Sequence, residues 1–445
     1  MRPVLFAMGL LVTAAAGASF YDESFSLEEL STNLTFPVGT CVVSGSQDKF
    51  LVIELGGLAW LFVNGTKLDT PFLNISSQIA VGHMRGLKAC AFDSDFSNHR
   101  YLYLSYMMRP DQADPTGPTT GRVSKFRVNE SFTGVTEETP ILGRVKSNGC
   151  KGHDINAIEE DVICNDNKGH NLGGLLMDKQ GHLYIGLADD GITDGAKDGW
   201  LDLMYVQTPG YLAGKILRVT RDGKAVEGNP YYSGNQTSLD DNASKVYSIG
   251  LHNPWRMFYS EAWDRIFVVN VGEAEFESVY ALSPGKNIGW PCTQAIKNGE
   301  ALDDYSVCQK IANEMDAGFN SLWDSTKEGS PGSSCITGAL QVSNRSWPAE
   351  FQEAFLFADY CNDYIFLVDV DRTKLKKLDE PADFASGMGT IVDFREHPDG
   401  YVYVVTFFPG AVHRIKYDKK ATDGKSKEVI GSCSISALNR FSFIS

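Results

Sequence analysis

The chain lacks the short signatures that would commit it to a familiar chemistry. No Gly-rich phosphate loop ends in Lys-Ser/Thr, no GxGxxG is present, and GxSxG, HExxH and paired CxxC are missing too. These absences argue, in turn, against a nucleotide-phosphate cradle, a dinucleotide fold, a nucleophile elbow, a zinc-protease helix and a dithiol redox centre. Basic residues are few: 40 Lys and Arg against 56 Asp and Glu leave a formal charge of -16. That balance opposes nucleic acid and anionic membranes as partners and favours an acidic, soluble surface able to bind cations. Beyond the N-terminus no apolar run is long enough to span a bilayer. No long stretch repeats its apolar residues with the 3.6-residue period of a helix.

What the sequence does contain is ordinary in amount: 43% of its 445 residues are hydrophobic, enough for a packed core. Arg2, the apolar run Val4–Ala16 and the small residues Ala16-Gly17-Ala18 predict a signal peptide over residues 1–18, and hence a secreted, extracellular protein. Seven Asn-X-Ser/Thr triplets, at Asn33, Asn64, Asn74, Asn129, Asn235, Asn242 and Asn344, fit glycosylated surface loops in that setting. Nine cysteines imply disulfides with one cysteine left over. The expected pairs are Cys150 with Cys164, Cys292 with Cys308 and Cys335 with Cys361, each closing a loop worth ~3 kcal/mol in the chain-entropy picture. Cys41 and Cys90 lie in apolar strand-like contexts, either as a pair or as buried thiols. Cys433 is the expected odd one.

Six segments share one form: a polar turn, an apolar strand, a short loop and a second strand. They are QDKFLVIELGGLAWLFV from Gln47, SNHRYLYLSYMM from Ser97, KQGHLYIGL with the later LAGKILRV, WDRIFVVNVGEAEFESVYAL from Trp263, EAFLFADYCNDYIFLVDV from Glu353 and HPDGYVYVVTFFPGAVHRIKY from His397. Most follow another apolar strand: Gly39–Val43, Gly86–Phe92, Val246–Leu251, Ile336–Val342 or Thr390–Phe394. About four strands per unit, repeated six times, predict an all-β fold, a six-bladed β-propeller over residues 22–420 with a polar tail at 421–445. Residues 107–120 and 294–334 read as surface loops. In a propeller, equivalent loops converge at one mouth of the central channel, so distant residues meet there.

Four stretches carry candidate chemistry. His170, in His-Asn-Leu-Gly-Gly, is either a histidine satisfied by a carbonyl or a general base working near neutral pH. His252-Asn253-Pro254 is a turn or a pair of hydrogen-bonding groups at the mouth. The turn Gly272-Glu273 and its neighbours offer carbonyls and carboxylates to a hard cation such as calcium, or form a solvated acidic turn. The loop holding Asp189, Asp190, Asp194 and Asp198 lacks the spacing of an EF-hand. It reads as solvated, as cation-binding or as a contact for a partner.

Taken together, MRGLKACAFDSDF, HNLGGLLMDKQGHLYIGLADDG, LAGKILRV, IGLHNPWRM, VGEAEFESV, NIGWPC, CITGAL, FADYC and HPDGYVYVV resemble the soluble quinoprotein glucose/sorbosone dehydrogenase family, across about residues 36–416. The resemblance implies a six-bladed propeller that holds pyrroloquinoline quinone (PQQ) beside calcium. It implies that His170 takes the sugar hydroxyl proton and that Gly272 and Glu273 give carbonyls to calcium. Asn253, His252, Arg85 and Trp290 are then the residues expected around the cofactor. The family's cationic clamp on the quinone carboxylates falls on Cys361, Thr390 and Val392, none of them charged, with Arg256 and Arg395 left as possible substitutes. The chain is also similar to the branch that includes the hedgehog-interacting protein. There an aspartate of the long loop reaches a zinc on its ligand; Asp194 is the nearest match, without that branch's cysteine-rich and EGF-like modules. Two functional expectations follow. The first is a secreted binding protein for carbohydrate or an extracellular protein ligand, its quinone site degenerate and Asp189, Asp190, Asp194 and Asp198 forming the contact loop. The second is a PQQ- and calcium-dependent oxidoreductase acting on the CH-OH group of sugars.

Overall fold

The computed structural model describes residues 17–82, 84–110, 117–146, 161–166, 169–191, 203–234, 242–272, 277–292, 308–311, 321–324, 334–372, 376–377 and 382–418. Six antiparallel sheets of four or five strands account for nearly all of its strands. Their innermost strands are Pro37–Val42, Leu87–Phe92, Leu172–Met177, Asn253–Ser260, Ile336–Gln341 and Ile391–Glu396, and define blades I to VI. Each contacts the next in order, and the sixth contacts the first. The ring closes, as the sixfold repeat predicts for a propeller.

Each blade is packed on both faces, so its middle strands read as unbroken apolar runs rather than as alternating ones. Leu51, Val52 and Ile53 are all fully buried. Buried apolar clusters fill the gaps between neighbouring blades, from the one joining I and II around to the one joining VI and I. The Cys41–Cys90 disulfide, with Cα atoms 5.7 Å apart, crosses the first of these gaps between two inner strands. The structure also pairs Cys292 with Cys308 and Cys335 with Cys361. Cys164 is disulfide-bonded as well; its expected partner Cys150, like Cys433, lies outside the described residues.

Blade VI is completed from the other end of the chain. Phe25–Ser31 pairs with Ala411–Tyr417, and Ser19–Phe20 adds to the edge of blade V. The repeat pattern did not place this closing strand. Phe25 anchors it, its ring 4.8 Å from Trp347, 5.1 Å from Phe351, 5.1 Å from Phe384 and 5.2 Å from Tyr417.

Three expectations need correction. Ser321–Asp324, within the expected loop 294–334, is the outer strand of blade IV. Val246–Leu251 was expected to open the fourth unit; instead Val246–Ile249 is the outer strand of blade III, and Asn253–Ser260 opens blade IV. Pro254 therefore lies within a strand rather than in a turn. The inner strand is hydrogen-bonded on one side only, which leaves room for a residue without an N–H. Asn242 was expected on the surface as a glycosylation acceptor, but it is 5% exposed and donates to the Gly210 carbonyl while accepting from the Asp161 N–H.

All six inner strands share one irregularity near their first residues. The pairing register slips by one residue between Pro37 and Gly39, Leu87 and Ala89, Leu172 and Leu175, Pro254 and Arg256, Ile336 and Gly338, and Ile391 and Asp393. Each slip is a β-bulge, which leaves one residue out of the ladder and re-aims its side chain. The residues set free are Val38, Lys88, Trp255, Thr337 and Val392, with Gly173-Gly174 at the matching place in blade III.

Candidate active site at the channel mouth

Those five bulged side chains line one cavity of about 390 Å³. Residues at the ends of the second strands, Leu55, Val271, Tyr360 and Phe407, complete its wall, with Asn253, Met84 and Cys335 at the strand starts. The cavity is therefore the mouth of the channel, and the repeated bulge is what builds it. Blade III has no bulged side chain because there is no space for one. A Cβ on Gly173 would lie 1.9 Å from the Pro254 carbonyl oxygen, and one on Gly174 would lie 3.0 Å from the Arg256 Cα. The glycine pair lets the inner strands of blades III and IV approach closely.

His170 stands just ahead of that pair, with φ at +27°. Non-glycine residues seldom hold such a conformation unless their surroundings impose it. Here the His170 carbonyl accepts the Asp190 N–H at 2.9 Å, and Asp190 is itself at φ +71°. The imidazole Nδ1 lies 2.9 Å from Asp189 Oδ1. Asp189 is fully buried, and its carboxylate also accepts from the Gly191 N–H at 2.9 Å and from Trp290 Nε1 at 2.8 Å. Its backbone is fixed on both sides: its N–H donates to the His252 carbonyl at 2.9 Å, and the Tyr205 hydroxyl donates to its carbonyl. Burial acts to raise the Asp189 carboxyl. The nearby His252 and His170 imidazoles and the Gly191 N–H outweigh it and hold the group below the ordinary carboxylate range. An ionised carboxylate on Nδ1 keeps the proton there and leaves Nε2 as the basic nitrogen, the tautomer being assigned from this network. The side chain of His170 is 26% exposed, so the ring is not sealed in the interior.

His252 stands behind this dyad. Its Nδ1 is 2.8 Å from the Val271 carbonyl oxygen, and its ring lies 4.4 Å from His170 and 4.2 Å from Trp290. Ligand atoms of His170, Asp189 and His252 fall within 4.8 Å of one another, a spacing open to a metal. Both Asp189 oxygens already accept from His170, Gly191 and Trp290, which favours an oriented base over a metal centre.

Next to the wall residues Val38, Trp255 and Val392 runs a salt-bridged layer, whose central Asp393 sequence reasoning missed. Trp255 reaches from blade IV to donate its indole N–H to the Val392 carbonyl at 3.0 Å. Beside it Arg256 Nε donates to Asp393 at 3.1 Å and a second nitrogen to the Val38 carbonyl; Asp393 also takes Arg395 at 3.0 Å and the Thr40 N–H at 2.7 Å. Arg256 and Arg395 are thus committed to Asp393 rather than offered to a ligand. Arg256 and Asp393 are 137 positions apart in the chain, so their pairing carries no local signal in the sequence.

The other predicted residues divide clearly. Asn253 lines the cavity. Arg85 is 1% exposed, and its guanidinium donates to Asn165 Oδ1 at 2.7 Å and to the Gly117 carbonyl at 2.6 Å, away from the cavity wall. Trp290 and His252 support the dyad from behind instead of facing a ligand. Asp189 and Asp190 do not form an exposed contact loop: they are 0% and 1% exposed, and Asp190 accepts from Asn165 and from the Asp166 N–H. A Gly-flanked Asp-Asp reads as solvated because nothing local shows the histidines and indole that satisfy it. Asp194, Asp198 and Glu273 lie outside the described residues, and Gly272 spends its N–H on Glu277 at 3.0 Å.

Comparison with known proteins agrees with this architecture. The sequence model of the family described as Glucose / Sorbosone dehydrogenase matches residues 37–412. The chain is 22% identical over 384 residues to the aldose sugar dehydrogenase YliI of Escherichia coli, covering 86% of this chain and 90% of that protein. It is 23% identical over 235 residues to quinoprotein glucose dehydrogenase B of Acinetobacter calcoaceticus, covering 50% of this chain and 43% of that one. Among solved structures, the soluble aldose sugar dehydrogenase of Escherichia coli in its apo-form superposes with a TM-score of 0.63 at 18% identity, over 88% of this chain and 99% of that one. The PQQ-bound aldose sugar dehydrogenase of Streptomyces coelicolor gives 0.61 at 17% identity, over 90% of this chain and 99% of that one.

Proposed function

The chain belongs to the glucose/sorbosone dehydrogenase family, and from that premise we propose that it oxidises a sugar hydroxyl at the channel mouth, with His170 as the base. The observation that carries this reading is the His170–Asp189 pair, held at 2.9 Å and packed against His252, whose chain neighbour Asn253 lines the cavity of about 390 Å³. A base that is to remove a hydroxyl proton needs a fixed ring, a defined basic nitrogen and a counter-charge for the imidazolium that forms. Asp189 supplies the counter-charge and sets the tautomer. Trp290, Gly191 and Tyr205 keep Asp189 in place, and His252 and Trp290 keep water from its far side.

The residues fit a planar quinone in several respects. The cavity volume suits a ligand of that size, its wall carries the flat rings of Trp255, Tyr360 and Phe407, and one cation, Lys88, faces it. Asn253, Lys88 and Trp255 are the residues that would hold the cofactor. When bound, it would supply the two-electron acceptor for the hydride leaving the sugar carbon. The chain's own contribution is the proton half of the oxidation: the hydroxyl proton passes to His170 Nε2, and Asp189 stabilises the resulting charge. For calcium the described donors are too few for a coordination set, so no step is assigned to it.

The contact-loop reading loses support, since two of its four carboxylates are buried and already hydrogen-bonded. We place the activity outside the cell, a reading supported by the apolar leader-like N-terminus and by the disulfides between and within blades. The test is reconstitution with PQQ and calcium followed by dye reduction over a panel of aldoses. Saturable turnover lost in His170→Ala is the expected result. Absence of turnover with every sugar, in a folded protein that has taken up PQQ, would overturn the proposal.

A further inference from the structure

Lys88 is the bulged residue of blade II, and its place in the fold is unusual for a lysine. It is 3% exposed, yet it lines the cavity. Its ammonium donates to the Met84 carbonyl at 2.9 Å and lies over the Trp255 ring, 4.5 Å from the centroid. Among the described residues no carboxylate stands at ion-pair distance from it. An ammonium has three donors, and one carbonyl and one ring face leave it under-used. The contrast with its neighbours is informative. Arg256 and Arg395, in the neighbouring salt-bridged layer, share Asp393, and the bulged residues of blades I, IV, V and VI are Val38, Trp255, Thr337 and Val392, all uncharged. A buried, unpaired cation is costly. Such a group is expected where a ligand supplies the missing charge.

We propose that Lys88 is the anion-holding residue of this cavity, and that the ligand taken there is a flat ring system bearing a carboxylate that docks on its ammonium. This rests on the dehydrogenase reading only in identifying that ligand with the quinone. The aromatic faces of Trp255, Tyr360 and Phe407 account for the ring, and Lys88 for the charge. The three positions where the family resemblance expects cations, Cys361, Thr390 and Val392, lie in blades V and VI. Lys88 lies across the ring, so this chain grips its ligand from the opposite wall. Burial holds the Lys88 ammonium so weakly that its titration falls to about 7, and the nearby Arg256 guanidinium acts in the same direction. A docked carboxylate reverses both effects.

The experiment measures dissociation constants for two compounds by tryptophan fluorescence, with PQQ and with benzene-1,2,4-tricarboxylate, an aromatic anion that has no quinone. Wild type is compared with Lys88→Met and Lys88→Gln, and the melting temperature of each is recorded without ligand. A charge-assisted contact predicts that both variants weaken both compounds by about ten- to a hundredfold. The unliganded variants should melt no lower than wild type, because an unpaired buried charge has been removed; a lysine kept for structure would give the opposite shift. Binding within threefold of wild type in the folded variants overturns the role of Lys88, and leaves the dehydrogenase reading standing if PQQ still binds. Lys88-dependent binding of the tricarboxylate without binding of PQQ keeps Lys88 and removes the quinone. Failure of wild type to bind either compound removes both.

Discussion

Replacing Asp189 by Asn tests the catalytic reading with almost no change in shape. The carboxylate takes three donors on two oxygens: His170 and Gly191 on Oδ1, Trp290 on Oδ2. An amide has one oxygen, so two arrangements are open. With the oxygen toward His170, the amide N–H₂ faces the Trp290 indole N–H, and one buried hydrogen bond is lost at about 1–3 kcal/mol. With the oxygen toward Trp290, the amide donates to His170 Nδ1, the ring proton moves to Nε2, and the basic nitrogen disappears. In both, the imidazolium formed by proton uptake has lost its counter-charge. General-base assistance of this kind is worth ~10²–10⁴-fold, so Asp189→Asn should lower kcat by at least about a hundredfold with little change in KM. The pH dependence of stability should change too. The folded Asp189 carboxyl lies below its ordinary value. Its ionisation therefore stabilises the fold at and above the unfolded carboxylate range, and that stability is lost as pH falls through the folded value. Asp189→Asn should remove this acid-side loss. The assay is single-turnover and steady-state oxidation of an aldose by PQQ-loaded protein, alongside urea midpoints from pH 3 to 7. A kcat within threefold of wild type would refute the reasoning.

Phe25→Ala should cost about 3–5 kcal/mol, because the ring that anchors the closing strand would leave a cavity among Trp347, Phe351, Phe384 and Tyr417; chemical denaturation measures it. Asp393→Ala should cost about 3–5 kcal/mol in the same assay by stranding the buried Arg256. Reducing Cys41–Cys90, which spans 49 residues, should remove about 4 kcal/mol in the chain-entropy picture; Cys41→Ser with Cys90→Ser measures it without a reductant. Lys88 titrates at about 7 when folded, against 10.5 for the ordinary group. Below about 7 both states hold the proton and the fold bears the full cost of a buried ammonium. Between the two values the unfolded chain holds more protons, so stability should rise with pH in wild type and not in Lys88→Met.

The repeated strands were legible because a blade strand is apolar on both faces and a polar turn ends it. Leu51-Val52-Ile53 and Val402-Tyr403-Val404-Val405 need no partner to be recognised as strands. The closing strand was not legible, because Phe25–Ser31 is an outer strand with polar residues on both faces, Glu29 exposed and Glu28 tied to Arg414 and Lys416, and its partner begins at residue 411. The boundary between blades III and IV was misplaced because Pro254 suggests a turn, whereas the inner strand's open edge tolerates it. At the site, His170 was marked by its glycine pair and Asn253 by its neighbours. Asp189 was visible only as part of an acidic loop, since burial by Trp290 and His252 depends on chain separated by tens of residues. Lys88 had a local signal, a lysine inside the apolar strand Leu87–Phe92. Asp393 and Arg395 are neighbours on one strand, but their meeting with Arg256 had no local signal, since blades IV and VI must come together first.

One ionised Asp189 makes His170 the base of the proposed oxidation at the channel mouth. Rapid mixing of the PQQ- and calcium-loaded protein with an aldose, followed at the absorbance of the bound quinone, tests it directly. Bleaching should be rapid in wild type and slowed at least about a hundredfold in His170→Ala and in Asp189→Asn with PQQ still bound. Bleaching at the wild-type rate in both variants would contradict it.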